Sequence, residues 1–316
     1  MSVNHFIVNW NEYQCLIESN VDFYLWHKYI KDVKSLLGKG KVTINNQNIV
    51  QKQPDNKLVY TNSDNKSLVF DGSIIYYSFP WEEAIHNDNF ECILLLIFLR
   101  KLYISKIAAL HASGVVFNGK AIIFLGPKES GKTSVALNLC KQYNAKLLCN
   151  DYINIMEYGD GMVAFGGDGM QSISFRSHAL QKIEPALFER YFDYGEYGRR
   201  QRIRTSELNI QTEQKRIEIK KIIFIGLGQS EMLSVDNKIT TKTMVDLYAN
   251  MTELIKGVSM VLFNHKEDLG LYIPEVFTSV MHQNVHEMIQ KLCQSRSVMS
   301  IRGNMDEITQ YITNEL

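Results

Sequence analysis

The sequence has 316 residues, 45% of them hydrophobic, which is enough apolar material for one large or two ordinary packed cores and excludes a disordered chain. Thirty-four basic side chains balance 34 acidic ones, so no global field draws the chain to nucleic acid or an anionic membrane, and neither is an expected partner. The cysteines, Cys15, Cys92, Cys140, Cys149 and Cys293, are scattered and form no C-x-x-C pair, which argues against a zinc site and fits reduced thiols in the cytoplasm.

At the N-terminus Asn4, His5, Asn9 and Asn11 interrupt the apolar residues and no basic stretch leads into a hydrophobic core, so no secretory signal is expected. After the aromatic piece Phe23-Tyr-Leu-Trp26 come short alternating runs beginning at Lys41, Lys57, Ser67 and Ser73, separated by Asn/Asp/Gly clusters. These predict β-hairpins, with a tight turn at Asp71-Gly72 and a softer one at Asn45 to Asn48. A helical pattern follows from about Asp88 to Lys106. Its apolar cluster, Ile93 to Leu99, is stopped by Arg100 and Lys101, far short of the roughly 20 residues of a membrane span, and predicts a buried helix. Residues 1–100 are therefore expected to form an N-terminal α+β region with a mostly-β layer, and residues 101–316 a second domain. In that second domain strand, loop, helix and strand alternate through about Ile155, another apolar strand spans Ile219 to Leu227, and helices fill Thr243 to Gly257 and Thr278 to Cys293. The end reads strand then helix. No internal repeat or low-complexity linker is present.

The most informative stretch is Gly126-Pro127-Lys128-Glu129-Ser130-Gly131-Lys132-Thr133, a G-x-x-x-x-G-K-[ST] pattern between the apolar run Ala121 to Leu125 and the helix-prone segment that starts at Ser134. Glycines at these places let the backbone wrap an anion, and successive N–H groups then point inward from the start of a helix. Lys132 is expected on the β- and γ-phosphate oxygens of a nucleotide, and the Thr133 hydroxyl on the Mg²⁺ that bridges them. An ordinary glycine-rich turn would not explain a lysine and a hydroxyl directly after the second glycine. ATP and Mg²⁺ are thus the expected cofactors, with Gly126 to Ser134 as the binding segment.

The sequence from Leu110 through the loop and its helix to Ile155 resembles the catalytic core of HPr kinase and the wider HPr kinase-like family. The resemblance implies an α/β fold related to phosphoenolpyruvate carboxykinase, with a mixed sheet in place of the usual parallel P-loop sheet. It places a histidine on the strand before the loop (His111), a hairpin leading into the loop, and an acidic motif on the strand after the helix (Asp151). It also implies transfer of phosphate from ATP to a serine hydroxyl, with Asp151 orienting that hydroxyl and accepting its proton, and with His111 and Lys132 at the phosphates. Where the family carries two adjacent acids this chain has Asn150-Asp151, so Asn150 would reach Mg²⁺ or phosphate as a neutral group. The glycine-rich signature of true HPr kinases is absent, and the similarity is greater to the shorter HPr kinase-like proteins of peptide-modifying gene clusters. The implied acceptor is a peptide or small protein, including a ribosomally made precursor peptide.

Other readings stay open. A phosphate loop also fits a kinase of small-molecule alcohols, a nucleotide-binding regulator or degenerate kinase, or an NTPase switch. His111 ends an apolar strand and also reads as a structural side chain. Asp168 or Arg176, in the glycine-rich stretch from Phe165, faces either the site or solvent. Arg199, Arg200, Arg202 and Arg204, preceded by Tyr191, Tyr194 and Tyr197, form the densest basic run and mark either an acidic-peptide patch or a solvated face. An edge strand of the N-terminal layer is a candidate surface for a homo-oligomer or for an extended peptide.

Overall fold

The computed structural model describes residues 3–10, 13–32, 42–46, 56–71, 73–85, 89–166, 172–192, 199–228, 232–264 and 277–316. They form two compact units, one of Met1–Ile107 with Thr252–Val285 and one of Ala108–Met251 with His286–Leu316.

The first unit contains β1 (Asn4–Trp10), β2 (Tyr13–Ser19), α1 (Phe23–Asp32), β3 (Val42–Asn46), β4 (Lys57–Asn62), β5 (Ser67–Asp71), β6 (Ile74–Phe79), α2 (Trp81–Ile85) and α3 (Asn89–Ile104). Its strands make one sheet in the order β3-β1-β2-β4-β6-β5. The hairpin β5/β6 is antiparallel, as its alternating runs predict, and a second antiparallel hairpin, β1/β2, lies in a stretch where the sequence suggested no strand. The centre differs from that expectation, because β2, β4 and β6 run parallel. Parallel neighbours need a crossover, which α1 and β3 supply between β2 and β4, and β5 supplies between β4 and β6. Asn45 and Asn46 belong to β3 instead of a turn, while Gln47, Asn48 and Gly72 lie outside the described residues. The core is aromatic: the Trp26 and Tyr60 rings each lie 4.6 Å from Phe90, and Trp81 is 5.2 Å from Trp26. Each buried polar tip in that cluster is satisfied. Trp26 Nε1 donates to Ser19 Oγ at 3.1 Å and the Tyr60 hydroxyl to the Phe79 carbonyl at 2.7 Å. Helix α3 is apolar around its whole girth, and Ile93 to Leu99 are buried, as a core helix should be.

The second unit carries β7 (Ile107–His111), β8 (Ser113–Phe117), β9 (Lys120–Leu125), α4 (Lys132–Gln142), β10 (Lys146–Cys149), β11 (Tyr152–Tyr158), β12 (Gly161–Phe165), β13 (Ser172–Arg176), α5 (Ser177–Ile183) and α6 (Pro185–Tyr191). These are followed by β14 (Arg200–Arg204), β15 (Ile217–Leu227), β16 (Ser234–Asp236), α7 (Thr241–Asn264), α8 (Ser279–Gln294), β17 (Val298–Gly303) and α9 (Met305–Glu315). The boundary between the units falls within α7 and α8. Nine strands form a sheet in the order β10-β8-β9-β15-β12-β11-β7, with β17 also beside β15 and β16 beside β17. The sheet is mixed: β15 runs parallel to both β9 and β17, whereas β8/β9 and β11/β12 are antiparallel hairpins. Val135, Ala136, Leu139 and Cys140 of α4 pack with Ile122, Phe124, Ile223 and Ile301 of the strands and with Ile308 and Ile312 of α9. This packing holds α4 rigidly behind the end of β9. All five cysteines are free thiols. Among the described residues no helix is long and apolar enough to cross a membrane.

Candidate functional site

The site begins where β9, buried from Ala121 to Leu125, hands over to α4. Gly126 has φ 143°, Glu129 φ 68° and Gly131 φ 96°, so the connection turns through left-handed backbone three times. Space adds a second demand for glycine. A Cβ on Gly126 would lie 2.6 Å from Ser130 Oγ and 2.9 Å from the Ile225 carbonyl, and one on Gly131 would lie 2.1 Å from Leu227 Cδ1. The loop is closed by Ser130 N–H donating to the Pro127 carbonyl at 3.2 Å, and Leu227 N–H on β15 donates to the Ser130 carbonyl at 3.1 Å. Gly131 is the N-cap of α4 and offers no capping side chain, leaving the positive helix end open to an anion. Ser130 Oγ is buried and makes no hydrogen bond. Lys132, 8% exposed, folds back so that Nζ donates to the Gly126 carbonyl at 2.7 Å and the Pro127 carbonyl at 2.9 Å.

Three segments bring oxygen atoms to the first turn of α4. Thr133 Oγ1 donates to Asn150 Oδ1 at 2.7 Å, and Ser113 Oγ, at the start of β8, donates to the same Oδ1 at 3.1 Å while lying 3.1 Å from Thr133 Oγ1. The sequence pairs Thr133 with Asn150; Ser113, 1% exposed, was not singled out by it. Its only signal was a hydroxyl two positions after His111, at the head of the hairpin that feeds the loop. Asn150 and Asp151 occupy a bend between β10 and β11, so the acidic position lies just beyond a strand and not on one. Asp151 has φ 76°, a conformation that costs a residue with a Cβ about 1–2 kcal/mol, and its carbonyl accepts from Ala112 N–H at 2.9 Å. That bond ties the bend to the link between β7 and β8.

His111 ends β7 and its backbone is capped by α7: Asn250 Oδ1 accepts from His111 N–H and Asn250 Nδ2 donates to the His111 carbonyl, each at 3.1 Å. The imidazole lies 5.2 Å from the ring of Tyr152, the neighbour of Asp151. Arg176, at the end of β13, forms an ion pair with Glu129 inside the loop. Lys128 is exposed beside it, while Asp168, Tyr194 and Tyr197 lie outside the described residues.

Among the described residues no three His, Cys, Asp or Glu side chains converge as a metal cage. The oxygens gathered at α4 are the Thr133 and Ser113 hydroxyls and the Asn150 amide oxygen, with Asp151 the next residue in the chain. A hard cation such as Mg²⁺ accepts such donors when substrate phosphates complete its shell. The orphaned Ser130 hydroxyl and the glycine-only cradle fit a nucleotide phosphate in the same place.

No protein-family model matches the sequence, and comparison with curated proteins gives no match. Among solved structures the chain is similar to the HPr(Ser) kinase/phosphatase from Coxiella burnetii, at 12% sequence identity and a TM-score of 0.26, over 51% of this chain and 98% of that one.

Proposed function

We propose that the protein is an ATP-dependent phosphotransferase that moves a γ-phosphate to a serine or threonine hydroxyl of a peptide or small protein, with a ribosomally made precursor peptide as the acceptor implied by the family resemblance. The observation that carries this reading is the loop itself: two glycines that no other residue could replace, an uncapped helix start, and Lys132 and Thr133 directly after them. Residues 101–316 are the catalytic domain in this reading, residues 1–100 an accessory α+β region, and the cytoplasm the place of action.

Bound Mg·ATP would supply the phosphoryl group and screen its charge. Loop N–H groups and Lys132 hold the phosphates, Lys132 leaving the Gly126 and Pro127 carbonyls to do so. Thr133 and Asn150 give oxygens to the cation, and Ser113 fixes their orientation through the shared hydrogen bonds. Asp151 accepts the proton of the acceptor hydroxyl, and its left-handed backbone holds the carboxylate at the bend. His111 sits at the end of the neighbouring strand as a second polar group for the phosphates.

The test is incubation with γ-labelled ATP, Mg²⁺ and the peptides encoded beside the gene, read by mass spectrometry for one added phosphate. Gain of phosphate on serine or threonine, abolished by Asp151→Asn, supports the peptide kinase. Labelling of metabolites alone would move the acceptor to a small-molecule alcohol. A second reading, a nucleotide-binding regulator, is favoured by one observation: Asn150 puts a neutral amide where a carboxylate would strengthen metal binding, and its oxygen already accepts two hydroxyls. ATP binding with no acceptor ever labelled would support it.

A further inference from the structure

Glu129 is an unexpected residue in a loop that would wrap a polyanion. Its carboxylate has the same sign as a phosphate, and its φ of 68° costs a residue with a Cβ backbone strain that glycine would avoid. Beside it stands Arg176, whose Nη1 donates to Glu129 Oε1. The two residues are 47 apart in the chain, so tertiary structure brings them together. The sequence alone leaves Arg176 facing either the site or solvent, and the pair puts it at the loop.

A firmly held strand presents Arg176. Ile173 and Phe175, which precede it on β13, are buried and share one core with Val135, Ala136 and Leu139 of α4, the helix that the loop feeds. Where the strand ends, Ser177 N–H donates to the Arg199 carbonyl at 3.0 Å. The backbone that carries Arg176 and the helix that closes the loop are therefore fixed by the same packing. The guanidinium, however, places one N–H on one carboxylate oxygen. It has five donors in a rigid fork, and a completed pairing with a carboxylate uses two of them in parallel. The Arg176 side chain is 35% exposed and that of Glu129 62%, and an ion pair so open to water stabilises a fold little.

We propose that Arg176 is a nucleotide-binding residue, which keeps one N–H on Glu129 and gives the rest of its fork to the β- and γ-phosphate oxygens of a nucleotide in the loop. The inference rests on the nucleotide site of the kinase reading and adds to it a cation from outside the loop. Glu129 is the positioning residue for that cation. It anchors the guanidinium at the middle of the loop, one residue before the buried Ser130 hydroxyl that makes no hydrogen bond. In return the guanidinium cancels a carboxylate charge that would repel the phosphates. Phosphate oxygens match its planar fork, which a point charge such as the Lys132 ammonium does not offer.

The experiment is a fluorescence titration of the full chain with N-methylanthraniloyl-ATP and Mg²⁺. Arg176→Gln should weaken binding about tenfold while melting stays native. Arg176→Lys, which keeps charge and bulk but loses the fork, should still bind about threefold more weakly than the native chain. The deciding variant is Arg176→Gln/Glu129→Gln. An arginine that touches phosphate is missed whether or not residue 129 is charged, so the double variant should stay at least about fivefold weaker than native. Return of native affinity in the double variant would mean that Arg176 only cancels the Glu129 charge, and overturns the inference. Native affinity in Arg176→Gln overturns it as well. Phosphate incorporation measured on the same variants keeps the two proposals apart. Analogue binding that depends on Arg176, with no acceptor ever labelled, sinks only the kinase reading. Transfer together with binding that is indifferent to Arg176 sinks only the present inference, and a native chain that binds no analogue sinks both.

Discussion

The aromatic cluster around Trp26 and the loop from Gly126 to Thr133 follow different rules. In the cluster every ring packs on others and the buried Trp26 and Tyr60 polar tips find partners. Burial raises the Tyr60 and Tyr77 hydroxyl pKa above its usual range, which keeps both neutral at any ordinary pH. At the loop, a buried hydroxyl has no partner, Glu129 adopts positive φ despite its side chain, and a lysine donates to the loop's own carbonyls. The first region is complete without a ligand. The second carries costs that a bound phosphate would relieve, which is why local exceptions to good packing point to function more directly than the core does.

That contrast can be broken most sharply by substitution at the loop and at Asp151. Lys132→Ala should weaken both nucleotide binding and transfer, and Asp151→Asn should reduce transfer by about 10³-fold while nucleotide affinity changes little, read by phosphate incorporation and by titration with an ATP analogue. Equal loss of nucleotide affinity in both variants would remove the distinction between holding and base roles. In the other region Trp26→Ala should cost about 3–5 kcal/mol in urea unfolding, and nucleotide affinity of the remaining folded protein should stay native. Two glycines with positive φ sharpen the comparison further. Gly131→Ala drives a Cβ into Leu227 and should cost about 2–4 kcal/mol with loss of nucleotide binding. Gly119→Ala, where no atom lies within 4 Å, should cost only the backbone strain of about 1–2 kcal/mol and leave binding intact. The smallest effect concerns thiols: burial pushes Cys15 and Cys140 up to about 12, so both stay protonated and shielded at pH 8. An alkylating reagent should label the partly exposed Cys293 first, with the others reacting only after unfolding, as peptide mapping would read.

The strands β4 to β6 were legible because alternating runs between turn residues carry a period of two, whereas the hairpin β1/β2 was not read. Their order was not, since no periodicity says that β2, β4 and β6 lie side by side in parallel; that pairing is set by crossovers and long-range packing. The turn itself was legible, because its glycines are local requirements of one short segment, whereas the direction of Lys132 and the Leu227 wall against Gly131 were not. Ser113 and Asn250 were invisible for the opposite reason. Each matters through a partner far away in sequence, Asn150 for the first and the His111 backbone for the second. The basic run at Arg199 to Arg204 was legible as charge, and only the register with β13 shows that alternate arginines share one face.

The bond from Leu227 N–H to the Ser130 carbonyl, and the contact that forbids any side chain on Gly131, mean that the cradle is finished by a strand made long after the loop itself leaves the ribosome. A chain that stops before β15 would display the whole signature and still lack the wall that shapes it, so in the kinase reading the phosphate cradle would be completed only once β15 is made.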